Sequence, residues 1–97
     1  MVEETKGNTA VIENTDNITL MGKPYNVILY NDGAHDMMEV TMQIIKAIHC
    51  STSRAAAIMQ EAHTTGRAIV FTGSLERAEL VESVLAEIRL GTRIEPA

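Results

Sequence analysis

Two short stretches of this chain carry side chains that can do chemistry together. Asn31-Asp32 closes an apolar run and sets an amide oxygen beside a carboxylate. Further along comes Met59-Gln60-Glu61-Ala62-His63. On a helix, residues three and four apart are neighbours, so Met59, Ala62 and His63 share one side. Together the two stretches offer polar acceptors at the mouth of a small apolar pocket. Such a site suits a free α-amino group whose own carbon bears a large hydrophobic side chain. That is binding chemistry rather than catalysis.

The α-amino group of a peptide has a pKa of about 7.7–8.0 and is mostly charged at neutral pH. Its ammonium brings three donors, and each needs an acceptor once water is excluded. Asp32 supplies a charge-assisted hydrogen bond. Asn31 offers its side-chain oxygen. His63 accepts through an unprotonated ring nitrogen, directly or through a water. The first side chain of the peptide would rest against Met37, Val40, Met59 and Ala62. Each residue also has an ordinary reading. Asn-Asp-Gly after a strand is a common turn, and Met is a frequent core filler.

These residues need elements to bring them together. Tyr25–Tyr30 is β-branched and aromatic, and Asn31-Asp32-Gly33 stops it, as expected of a buried strand. Asp36 with Glu39 reads as a capping pair that opens a helix. Met37, Val40, Ile44 and Ile48 give that helix its period, with Met38, Met42 and Ile45 beside them. It is apolar on more than one face, so part of it should be deeply buried or should line a site. His49-Cys50 ends it, and Ser51 caps a second helix with a stripe of Ala55, Ile58, Met59 and Ala62. An antiparallel pair of helices would place Met37 and Val40 near Met59 and His63. Arg67–Phe71 is a second strand. Ser74 opens a third helix with Ala78, Val81, Leu85 and Ile88 inward and Glu79, Glu82 and Glu87 in water; Gly91 is its expected stop. Thr92–Glu95 is a last short strand ended by Pro96. The order β-α-α-β-α-β predicts an α+β domain, a three-stranded antiparallel sheet packed on three helices. Residues 1–23 show no sustained period and read as a flexible extension; 24–97 form the core domain.

Composition excludes several classes of function. The 97 residues leave little room for a second domain. The net charge is −5 and the basic residues are scattered singly, which disfavours binding to nucleic-acid phosphates or to an anionic membrane surface. No apolar run approaches the roughly twenty residues of a membrane span. The acidic N-terminus has no signal-peptide core, and the single Cys50 cannot form an internal disulfide. The cytoplasm is expected, with a monomer, no cofactor and no metal.

The pattern Tyr25-Asn-Val-Ile-Leu-Tyr-Asn31-Asp32, then a Met-rich helix start, then Ala55-x-x-Ile58-Met59-x-x-Ala62-His63-x-x-Gly66-Arg67-Ala68, resembles ClpS. ClpS is the bacterial adaptor that delivers N-degron substrates to the ClpA or ClpC unfoldase. The likeness covers about residues 24–96 without gaps. It implies recognition of N-terminal Leu, Phe, Tyr or Trp. Asn31, Asp32 and His63 would hold the amine, and Met37, Val40, Met59 and Ala62 the side chain. Acidic residues used in unfoldase docking match Glu76 and Glu79, while a basic residue usual one turn later is Val81 here. The chain departs from the family in four places. Gly33 replaces an acidic or polar residue, and His35-Asp36 stands for a common Thr-Pro, which leaves His35 as a possible loop contact. Met38-Glu39 replaces Glu and an aromatic, and Ala62 is smaller than the frequent Val. A roomier pocket with shifted selectivity is expected.

Rival readings are weaker. Cys50 as a nucleophile has a poorly placed neighbour in His49, because adjacent helical residues point apart. His35, His49, His63 and Cys50 have no metal-ligand spacing. An interaction module laid out like the C-terminal domain of ribosomal protein L7/L12 is the remaining alternative. That family usually shows a Lys-rich, Gly-punctuated helical surface, which this acidic chain lacks.

Overall fold

In β1 (Tyr25–Tyr30), Val27 and Leu29 point to one face and meet Ala68 and Val70 of β2 (Arg67–Gly73) in the core. Ile28 between them faces the other way and is only 1% exposed, so the middle of β1 is buried on both faces. The structure is a computed structural model and describes residues 22–97; the extension expected at the N-terminus lies, apart from Gly22 and Lys23, outside them. β1 is the central strand. It pairs antiparallel with β2 on one side and with β3 (Thr92–Pro96) on the other. The β1–β2 register shifts between Val27 and Ile28, where Val70 is the extra residue of a bulge in β2.

Three helices pack on this sheet, and each begins with the side-chain cap that its first residues provide. Asp36 accepts from the Glu39 N–H at 3.3 Å and opens α1 (Met37–Ile48). Ser51 accepts from Arg54 at 3.1 Å and opens α2 (Thr52–Thr65). Ser74 accepts from Arg77 at 3.3 Å and opens α3 (Leu75–Leu85). Such a cap satisfies a backbone donor that the helix itself leaves unpaired. Val40 and Ile44 of α1, Ala55, Ile58, Met59 and Ala62 of α2, and Ala78, Val81 and Leu85 of α3 close one core over the inner sheet face. The α+β architecture and the order β-α-α-β-α-β are those expected from the sequence.

Two details differ from expectation. β2 runs through Thr72 to Gly73, because those residues still pair with Asn26 and Tyr25. α3 ends at Leu85 and tightens into a single turn of 3-10 helix, Ala86–Ile88, so Gly91 is not its stop. Arg89 takes the left-handed conformation there instead, at φ 63°. As expected, part of α1 is deeply buried, at Val40 and Ile44, and Val40 also lines a hollow at the end of β1. The polar Gln43 of α1 is buried and donates to the Val84 carbonyl at 2.6 Å, while Met37, Met38 and Met42 stay exposed. Among the described residues, α1 packs against α2 on one side, α3 on the other, and β2.

Candidate functional site

The end of β1 is pinned from two directions. The Tyr30 N–H donates to the Gly91 carbonyl at 2.9 Å, and the Asn31 N–H donates to the Gly66 carbonyl at 3.0 Å. Gly66 caps α2 at φ 95°, a conformation that L side chains resist, and its N–H donates to the Ala62 carbonyl. The Asn31-Asp32 corner is therefore fixed by backbone atoms to the last turn of α2.

Beyond the corner the chain folds back on its own side chains. Asn31 Oδ1 accepts from the Gly33 N–H at 3.3 Å. Asp32 Oδ1 accepts from the N–H groups of Ala34 at 2.9 Å and His35 at 3.2 Å. Asp32 Oδ2 lies 2.5 Å from His35 Nδ1, and His35 Nε2 meets the Ile88 carbonyl. The Ala34 N–H, and then the His35 N–H and ring, hold the Asp32 carboxyl below its ordinary value against the opposing effect of burial. The Ile88 carbonyl, then Asp32, hold the His35 ring above its ordinary value.

A small open hollow adjoins this corner, about 230 Å³ when counted out into solvent. Buried apolar side chains line it: Leu29 of β1, Val40 of α1, Met59 and Ala62 of α2, and Leu90 before β3. Tyr30, Asn31, Asp32 and His35 stand at its edge. The start of α1 and the end of α2 thus meet here, as an antiparallel helix pair requires. The hollow is greasy inside and carries hydrogen-bonding groups on one side, the usual division of labour in a ligand site.

Not every expected residue lines it. His63 is exposed on the last turn of α2, next to Ala62 and one turn from Met59, and is not among the lining residues. Among the described residues no hydrogen bond joins it to Asn31 or Asp32. Met37 is 41% exposed at the first residue of α1 and also lies outside the lining. Glu76 and Glu79 are exposed on α3, three residues apart and so on one side of it. Leu29, Tyr30 and Leu90 line the hollow without having been singled out. Strand alternation marks Leu29 as inward-facing. Leu90 carries no local signal, because it is brought in by the tightened end of α3. Cys50 packs beside the core, and no group of His, Cys, Asp and Glu suited to a metal ion occurs among the described residues.

The domain is thus a single sheet with three helices on one face and a polar corner beside an apolar hollow. The family model for the ATP-dependent Clp protease adaptor protein ClpS matches residues 21–89. The ClpS of Synechococcus elongatus is 37% identical over 73 residues, 74% of this chain and 77% of that one. The ClpS of Prochlorococcus marinus is 30% identical over 97 residues, 97% of this chain and 92% of that one. Agrobacterium tumefaciens ClpS2 bound to L-phenylalaninamide superposes with a TM-score of 0.73 at 25% identity, covering 77% of this chain and 98% of that one. The chain belongs to the ClpS family. It is an adaptor of the Clp protease and not an enzyme.

Proposed function

We propose that this adaptor binds the free α-amino group and bulky first side chain of N-degron proteins that begin with Leu, Phe, Tyr or Trp. In this reading it hands them to a ClpA- or ClpC-type unfoldase in the cytoplasm. One observation carries the reading: the Asn31-Asp32 corner stands at the rim of a hollow floored by Leu29, Val40, Met59 and Ala62. A ligand with a charged donor group next to an apolar group matches that rim and that floor. The relative solved with L-phenylalaninamide, an aromatic amino-acid amide, supports the same ligand chemistry.

Asp32 would receive the ammonium, with Asn31 as a second acceptor. His63, beside Ala62 on the solvent side of α2, would reach the amine through a water. Met37, exposed one turn before Val40, would cover the outer side of the bound side chain, where a flexible thioether adapts to different shapes. Glu76 and Glu79 form the proposed docking face for the unfoldase. Residues 1–23 are the proposed extension that it engages, and 24–97 the proposed core.

Calorimetric titration with a Phe-initiated peptide and its N-acetylated twin tests this reading. Acetylation removes the charge and two of the three N–H donors, so affinity should drop by on the order of tenfold or more. Equal binding of the two peptides refutes the proposal.

A further inference from the structure

His35 stands between two parts of the site that are far apart in the chain. Its Nδ1 lies 2.5 Å from Asp32 Oδ2, and its Nε2 meets the Ile88 carbonyl. Asp32 belongs to the corner after β1. Ile88 belongs to the turn that leads to Leu90 in the apolar wall of the hollow. Both ring nitrogens therefore face oxygens, and neither a carboxylate nor a carbonyl has a proton to donate. Both nitrogens must donate, and a ring with two N–H groups is the imidazolium. A neutral ring has one N–H and leaves the other oxygen facing a lone pair. The connection across the edge of the hollow is complete only when the ring is charged.

The surroundings favour that form. The charged groups acting on the ring are Asp32 of its own loop and Glu39 in the first turn of α1, both anionic. The turn after α3 contributes the Ile88 carbonyl. The His35 side chain is only 17% exposed, and its contact with the Ile88 carbonyl is partly buried. Three hydrogen bonds already reach the Asp32 carboxylate, from the Ala34 N–H, the His35 N–H and the ring. A carboxylate accepts about four. The remaining position is the one open to an ammonium, and the ring fixes the direction in which it points.

We propose that His35 is the positioning residue of the amine site: in its charged form it orients the Asp32 carboxylate and clamps the Asn31-Asp32 corner to the Leu90 wall. This rests on the reading of the hollow as an amine-binding site. In this role His35 acts through Asp32 and through the segment that carries Leu90. Because both of its contacts need a donor, the clamp depends on the ring's proton.

Two measurements on wild type and His35→Gln test it. The substituted amide cannot donate in two opposite directions. In the free proteins, the His35 ring and Leu90 methyl resonances are followed from about pH 5 to 9. The Leu90 methyls should titrate with the midpoint of the His35 ring, and that transition should be missing from His35→Gln. Affinity for a Phe-initiated peptide is then measured for both proteins at each pH. The ratio of the two affinities cancels the titration of the peptide amine and of the other histidines. Wild type should bind about tenfold more tightly at the acid end, with the ratio falling towards one as pH rises through the His35 midpoint. Leu90 methyls indifferent to His35, or a ratio that does not change with pH, overturn the proposal. If neither protein tells the peptide from its acetylated twin, the amine-binding reading fails, and His35's role at that site with it. The Leu90 response then still decides the clamp.

Discussion

Asp32 serves two purposes, and the two can be separated by one atom. Its Oδ1 organises the turn through Ala34 and His35, and its negative charge is what an ammonium would seek. Asp32→Asn keeps a side-chain oxygen for the turn and removes the charge. It should weaken binding of a Phe-initiated peptide by on the order of tenfold or more while leaving the melting temperature within a few degrees, as calorimetry and a thermal scan would show. Met59 is the opposite case, because it is 5% exposed and belongs to both the core and the hollow. Met59→Ala should cost about 2–5 kcal/mol in urea unfolding. It should also enlarge the hollow and level the affinities for peptides beginning Leu, Phe, Tyr and Trp.

At the scale of elements, Gly66 joins helix, strand and site. A Cβ at this position would meet nothing within 4 Å, so a substitution would suffer from its φ of 95° and not from crowding. Gly66→Ala should therefore destabilise by about 1–2 kcal/mol in urea unfolding, and peptide affinity should fall with it as the Asn31 anchor shifts. The elements themselves were legible in the sequence because their signals are local. Asp36, Ser51 and Ser74 sit where a cap must sit, and the β-branched run of β1 stops at Asn31. The site was legible in part. Val40, Met59 and Ala62 share the inward stripes of α1 and α2, so helical spacing alone brings them to one place. Leu90 and the Ile88 contact of His35 depend on how α3 tightens and reverses at Arg89, a non-glycine residue in the left-handed conformation. No pattern within that segment announces such a turn. Likewise, the apolar periodicity of α1 cannot tell buried Val40 and Ile44 from exposed Met38 and Met42. Only the arrival of α2 and α3 decides which face is covered.

Across the whole molecule, charge ties together what hydrophobic packing leaves apart. Lys46 of α1 reaches Glu87 after α3 at 2.8 Å, and Gln43 donates to the same carboxylate at 3.1 Å. Lys46, then Gln43, hold the Glu87 carboxyl below its ordinary value. Glu87 and Asp32, with lowered folded values, stabilise above their ordinary 4.5 and 3.8, and that contribution is lost as pH falls through the lowered values. His35, with a raised folded value, stabilises fully below its ordinary 6.5, and that contribution is lost as pH rises through the raised value. These three contributions are all complete between 4.5 and 6.5. Thermal midpoints measured against pH should peak in that window, and the alkaline shoulder should be missing from His35→Gln.

The hydrogen bond from the Asn31 amide to the Gly66 carbonyl runs between peptide groups. Replacing the Asn31 side chain, short of proline, deletes neither the donor nor the acceptor. The side chains around the hollow can thus change while the mooring of the corner to α2 stays in place.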